Sequence, residues 1–182
     1  MRVISGSARG IVLNALEGLD TRPTTDRVKE AVFSMLQPYI YDSVCLDLFS
    51  GSGALGIELL SRGASRVYLV EQSKSAMSII EKNLDKTKLT ANAVTVLSEV
   101  YGFLDKETAN KYKIIMMDPP YNKGHVKQSL EKIAMHNLLS ENGLVVVEHA
   151  IGDTDLEWEY ENLEVIKEKK YGKIGVTVFR RL

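Results

Sequence analysis

Apolar and polar positions along the chain follow two rhythms. Val44–Leu48, Val67–Val70, Val94–Leu97, Ile114–Met117 and Leu144–Val147 are short, nearly continuous apolar runs. Such runs predict strands buried on both faces. Between them lie stretches with helical spacing: Ala54–Ser61, closed by Gly63; about Lys74–Lys86, with Met77, Ile80 and Leu84 inward; and about Val126–His136. Leu163–Ile166 and Val176–Phe179 flank Tyr171-Gly172-Lys173 with no helix between them, which predicts an antiparallel hairpin. Ahead of the first strand, Arg2–Ser5 and Ile11–Leu13 around Gly6 and Gly10 predict a hairpin or loose ribbon. Val28, Ala31, Val32, Met35 and Leu36 then mark one face of a helix, with Thr25 or Asp26 as its N-cap and Pro38 as its stop.

Strands separated by helices imply a parallel sheet covered on both faces, and the terminal hairpin brings the strand count to seven. That succession predicts a Rossmann-like α/β fold of the class I methyltransferase type. Its mostly parallel seven-stranded sheet ends in an antiparallel hairpin. Residues 1–41 form a small extension of ribbon plus helix, and residues 42–182 the main domain.

Composition removes several classes. In 182 residues, 45% hydrophobic and 26% charged content excludes disorder, and one cysteine excludes a disulfide framework or Cys-rich zinc site. No apolar run approaches the roughly 18 residues of a bilayer span, and the N-terminus lacks the apolar stretch of a secretory signal, so a cytoplasmic protein is expected. His125, His136 and His149 lack ligand-like spacing with Cys or carboxylates, so no metal is expected. The 23 Lys+Arg and 24 Asp+Glu nearly cancel to −1, which by itself argues mildly against a nucleic-acid partner.

The densest chemistry lies in Asp47-Leu48-Phe49-Ser50-Gly51-Ser52-Gly53-Ala54-Leu55-Gly56, between the first strand and the first helix of the main domain. Gly51, Gly53 and Gly56 satisfy G-x-G-x-x-G, and Glu71 follows Gly51 by 20 residues, the spacing of a dinucleotide fingerprint. Glu71 suits the ribose hydroxyls of either NAD or S-adenosylmethionine. Asp47 separates the two, because a carboxylate beside the loop repels a pyrophosphate and attracts an ammonium or sulfonium. Glu99 and the Val100 N–H, after the third strand, are candidates for the adenine edge, although a Glu opening a short helix also serves its dipole.

Asp118-Pro119-Pro120-Tyr121 follows the fourth strand, at the edge where α/β sheets bind ligands. A nucleobase amine is a weak nucleophile because its lone pair is delocalised into the ring. Two acceptors for its N–H groups, the Asp118 carboxylate and the Pro119 carbonyl, would turn that lone pair toward a methyl donor. Consecutive prolines fix the turn and remove competing donors, and Tyr121 offers a face on which an extruded base can stack. Cys45 lies within the first strand and reads as core, not as a nucleophile.

With these motifs in view, the chain resembles the RsmD family of bacterial ribosomal RNA guanine methyltransferases over almost its whole length. The resemblance rests on Ser5-Gly6-Ser7-Ala8-Arg9-Gly10, Arg22-Pro23-Thr24-Thr25-Asp26-Arg27-Val28-Lys29-Glu30, Asp47–Gly56 with Ser61-Arg62-Gly63-Ala64, and Asp118–Tyr121. Ser5 and Glu99 depart from the family's usual residues. The resemblance implies methyl transfer from S-adenosylmethionine to the 2-amino group of a guanine in small-subunit (16S) ribosomal RNA. It implies that Thr24, Thr25, Asp47, Phe49, Ser50, Gly51, Ser52, Gly53, Glu71, Gln72, Glu99, Val100 and Asp118 hold the cofactor.

Arg2, Arg9, Arg22, Arg27 and Lys123 are candidate RNA contacts. Residues 153–164 carry six acids and no base, whereas residues 167–181 are mostly basic, so the near-zero charge is a cancellation between segments. So modest a basic surface favours RNA presented in a ribosomal protein–RNA assembly to a monomeric enzyme. An adenine amino-methylase acting on DNA or RNA suits the same tetrapeptide, but no room is evident for a large target-recognition region. An NAD-dependent oxidoreductase is disfavoured by Asp47, and cofactor binding without catalysis by the intact tetrapeptide.

Overall fold

The computed structural model describes residues 1–15, 26–121, 123–152, 160 and 162–182. Its elements run α1 (Asp26–Ile40), β1 (Val44–Asp47), α2 (Ala54–Ser61), β2 (Arg66–Glu71), α3 (Lys74–Thr87), β3 (Ala93–Leu97), α4 (Val100–Leu104), β4 (Tyr112–Met117), α5 (His125–Met135), β5 (Leu139–Ala150), β6 (Leu163–Tyr171) and β7 (Ile174–Arg181). They form the predicted seven-stranded sheet, in the order β3-β2-β1-β4-β5-β7-β6. The β1–β2, β1–β4, β2–β3 and β4–β5 pairs are parallel, and β7 runs antiparallel between β5 and β6.

Alternate strand residues face opposite layers. Ile114 and Met116 join a core with α1, α2 and α3, including Phe33, Leu36, Ile57 and Ile80. Ile115 and Met117 join a second core with α4 and α5, including Phe103, Leu104, Leu130 and Ile133. Strand order reverses between β1 and β4, so their carboxyl ends open a crevice, the usual ligand position in such sheets.

Several boundaries move for physical reasons. Pro38 does not stop α1, which continues to Ile40. The proline lacks only the N–H that would bond the Ser34 carbonyl, and Ser34 lies on the exposed face where water can replace it. β6 reaches Tyr171 through Lys167–Lys170, because a strand exposed at the sheet edge carries lysines that an apolar run does not reveal. β5 begins at Leu139 and bulges before Leu144.

The N-terminal stretch forms a loose ribbon joined by an antiparallel bridge between Arg2 and Val12, with Val3, Ala8 and Leu13 buried in the first core. It is clamped to α2. The buried Glu58 carboxylate accepts from the Ile4 N–H (2.8 Å), the Ser5 N–H (3.0 Å), Arg62 Nε (2.8 Å) and Lys29 Nζ (2.9 Å). Lys29 and Glu58 side chains are both 0% exposed. Burial pushes the Glu58 carboxyl up, but Lys29 and the surrounding donors outweigh it and hold the group below its ordinary value. Ser61 Oγ donates to the Ser5 carbonyl and accepts from the Ala8 N–H, while its carbonyl accepts from the Ser7 N–H. Gly6 has φ +85°, and a Cβ there would lie 1.7 Å from the Ser61 carbonyl oxygen.

Removing one partner of a buried ion pair strands the other charge. Glu58→Ala should therefore cost roughly 3–5 kcal/mol in urea unfolding. Gly6→Ala should lift the ribbon off α2, seen as faster hydrogen exchange at the Ser7 and Ala8 amides. Unchanged protection at those amides would show that the close approach is not needed.

Candidate active site

The loop between β1 and α2 is bound from below and from the side. Asp47 is 0% exposed, and its Oδ2 accepts from the Gly56 N–H at 3.0 Å in the first turn of α2. Its Oδ1 is buried without a hydrogen bond among the described residues. Gly56 must be glycine, since a Cβ there would meet Leu69 Cδ2 at 2.8 Å and Asp47 Oδ2 at 3.2 Å. Ser50 Oγ donates to the Asp47 carbonyl, and the Ser50 N–H to the Val70 carbonyl. Asn83 of α3 donates to the Ser52 carbonyl at 2.8 Å and exchanges hydrogen bonds with the Asn14 backbone, which ties the loop to the N-terminal ribbon.

Gly51 adopts φ +54°, and a Cβ there would enter open space, so the loop presents bare backbone to the crevice. Glu71, half-buried at the end of β2, spans the crevice wall. Its Oε2 accepts from the Gly51 N–H at 2.9 Å and its Oε1 from the Ser73 N–H at 2.8 Å. Each oxygen keeps a further acceptor direction for a ligand hydroxyl. Gln72 is exposed next to it. Glu99 caps α4, its oxygens accepting from the Tyr101 and Gly102 N–H groups at 3.0 Å. Its carboxylate is thus committed to the helix it opens, and Val100 behind it is buried.

Burial is the main cause that pushes Asp47 up to about 7, and the nearby Glu71 adds to it. A carboxyl near 7 is only part-ionised at neutral pH. Repulsion of a pyrophosphate by Asp47 is therefore weaker than its sequence position implies. Asp118 lies beyond the end of β4, its carboxyl pushed well up by burial, then by Glu148, then by Asp47. Pro119 is buried, and Tyr121 is exposed with its hydroxyl donating to Glu148 Oε1 at 3.0 Å.

Glu148, at the carboxyl end of β5, escaped the sequence reading, although ligand sites lie at exactly such strand ends. Tyr101 and His125 also belong here. The Tyr101 hydroxyl is hydrogen-bonded to His125 Nδ1 at 2.6 Å, and the His125 ring lies 5.7 Å from Phe49 and 6.0 Å from Tyr101 between centroids. These rings join the loops after β1 and β3 to the start of α5.

Among the candidate RNA contacts, Arg9, Arg27 and Lys123 are exposed, and Arg2 pairs with Asp26 at 2.9 Å on the surface. Arg22, Thr24 and Thr25 lie outside the described residues. His149 is a core residue: its Nδ1–H donates to the Ala150 carbonyl, and its Nε2 accepts from Thr177 Oγ1. Among the described residues no cluster of His, Cys, Asp and Glu could hold a metal ion, and no helix is long and apolar enough to cross a membrane.

A family model described as "Conserved hypothetical protein 95" matches residues 1–180. YlbH of Bacillus subtilis, provisionally named an rRNA methyltransferase, is 37% identical over 185 residues, covering 100% of this chain and 99% of the relative. "Ribosomal RNA small subunit methyltransferase D" of Haemophilus influenzae is 35% identical over 182 residues, covering 99% and 93%. Among solved structures, yhhF of Escherichia coli, provisionally named a methyltransferase, superposes with a TM-score of 0.89 at 32% identity, covering 100% of this chain and 97% of that one.

The raised acid leaves a signature in pH titration. A folded-state value near 7 against an ordinary value near 4 means that the folded protein binds the extra proton between these limits, so this group's contribution makes stability fall as pH rises from about 4 to about 7. Asp47→Asn should flatten that part of the unfolding profile, and an unaltered slope would show that Asp47 titrates normally.

Proposed function

We infer, since the chain belongs to the RsmD family, that it is a methyltransferase acting on ribosomal RNA. We assign its methyl donor as S-adenosylmethionine and its acceptor as the exocyclic 2-amino group of a guanine in small-subunit RNA. The observation that carries this reading is the position of Asp118–Tyr121. The tetrapeptide leaves β4 next to the glycine loop of β1, across the crevice where strand order reverses.

The pocket fits the donor. Open space over Gly51 admits a ligand against bare backbone, Glu71 offers acceptors to a ribose, and Asp47 holds a buried oxygen without a hydrogen bond among the described residues. Burial lifts both Asp47 and Asp118, with Glu71 adding to the first and Glu148 and Asp47 to the second, so a bound cation would favour their ionised forms. S-adenosylmethionine brings an ammonium and a sulfonium, and its sulfonium supplies an electrophilic methyl group. Val100 and the ring cluster of Phe49, Tyr101 and His125 give the adenine an apolar neighbourhood. Glu99 reaches the adenine amine only through acceptor directions left over from capping.

The Asp118 carboxylate and the Pro119 carbonyl accept the two N–H groups of the target amine and aim its lone pair along the crevice. Bound there, S-adenosylmethionine would supply the methyl group and leave as the neutral thioether, so the methylated amine would have one proton to lose. Its proton passes to Asp118, whose raised affinity for protons suits it as the acceptor. Tyr121, exposed at the mouth, provides the stacking face. Arg9, Arg27 and Lys123 supply phosphate contacts. Few contacts of this kind favour an RNA already folded in a ribonucleoprotein particle.

Calorimetry should show S-adenosylmethionine binding and no NAD binding, with affinity rising as pH climbs through about 7, because a bound cation favours ionised Asp47. Tight NAD binding would overturn the assignment. Asp118→Ala should lower turnover by roughly 10²–10³-fold on RNA from cells lacking the protein, by analogy with loss of one preorganised polar contact. Full activity would remove Asp118 from the mechanism.

A further inference from the structure

The parallel register sets Met117 of β4 beside Val147 of β5. Asp118, the first residue beyond β4, therefore lies beside Glu148, which is still within β5 and paired with Val176 of β7. Glu148 is only 8% exposed, and its Oε1 accepts the Tyr121 hydroxyl at 3.0 Å. Two carboxyl groups thus stand together at the same end of the crevice. Burial and, after it, the neighbouring Glu148 push the Asp118 carboxyl well up, so the two acids are kept close together at a cost. Sites that keep costly charges are characteristically functional ones.

The arrangement has a chemical complement. Guanine presents three N–H groups on one edge, two from the 2-amino group and one from N1, whereas adenine has a lone pair at N1. Asp118 and Pro119 account for two acceptors. We propose that Glu148 is the third, accepting the N1–H of the target base and thereby selecting guanine over adenine. The proposal rests on the reading of this crevice as a guanine 2-amino methylation site. The Tyr121 hydroxyl aims the carboxylate. Facing that anion, the N1 lone pair of adenine is repelled, while guanine N1–H makes a charge-assisted bond. Glu148 then acts as a specificity-determining residue, with methyl transfer still carried by Asp118 and Pro119.

The test uses the full chain and small-subunit particles from cells lacking it, with the methylated nucleotide first mapped by nuclease digestion and mass spectrometry. Particles are then rebuilt with 2-aminopurine at that nucleotide, which keeps the 2-amino group but offers a lone pair at N1. The wild-type protein should methylate the 2-aminopurine particle about 10–100-fold less efficiently than the guanine particle, the range expected for one hydrogen bond to a charged group. Glu148→Gln should lose about 10–100-fold on guanine and bring the two substrates within a few-fold, because its amide can donate to N1. Its S-adenosylmethionine affinity should match the wild type.

Equal wild-type rates on both particles would overturn the proposal without any variant, and so would a Glu148→Gln protein that keeps the wild-type preference. Either result leaves the guanine reading standing. Methyl groups recovered only on adenine would overturn that reading, and the proposal with it.

Discussion

The short hydrogen-bonded contact between Asp47 and the Gly56 N–H holds the architecture of the site together. It joins the end of β1 to the first turn of α2 at a point where no side chain fits, since a Cβ on Gly56 would strike Leu69 and Asp47 itself. Helix and strands therefore approach closely enough for the loop between them to turn through left-handed glycines and expose bare backbone. From that contact follow the opening over Gly51, the reach of Glu71 to the loop, and the burial that lifts the Asp47 carboxyl. A residue that reads as a charge for the cofactor is first a buried strut.

A second buried acid does comparable work at the far end of α2. Glu58 gathers Lys29 of α1, Arg62 and two backbone amides of the N-terminal ribbon, so the first fifteen residues become part of the fold. This explains the Ser5-Gly6-Ser7-Ala8 motif by geometry: a glycine against the Ser61 carbonyl, small residues, and amides aimed at α2. Asn83 continues the chain of contacts from Asn14 to the loop carbonyl of Ser52. The ribbon is thus coupled to the cofactor loop through hydrogen bonds. Arg9, borne on it, is placed by the protein core.

Much of this was legible along the chain. Strand runs and helical spacings located the elements because burial on both faces leaves a continuous apolar signature, and α2 was read at its observed bounds. Edges were less legible. The exposed strand β6 was cut short because its lysines are a defence of the sheet edge, and Pro38 was taken for a terminator although its lost hydrogen bond falls on solvent. Spacing alone singles out Asp47, Gly51, Gly53, Glu71 and Asp118 as candidates, since a loop between strand and helix places them within one short segment or at strand ends.

Local sequence thus determines the element order, the glycine turn and the Asp-Pro-Pro-Tyr turn after β4, because each depends on residues close together in sequence. Glu148 beside Asp118, Asn83 beneath Ser52 and the His125–Tyr101 pair depend on register between distant elements, and no periodicity reports them. The same holds for protonation. Whether Asp47 is a full charge or a half-ionised strut follows from how much water the packed sheet leaves around it, a quantity that exists only once the chain has closed upon itself.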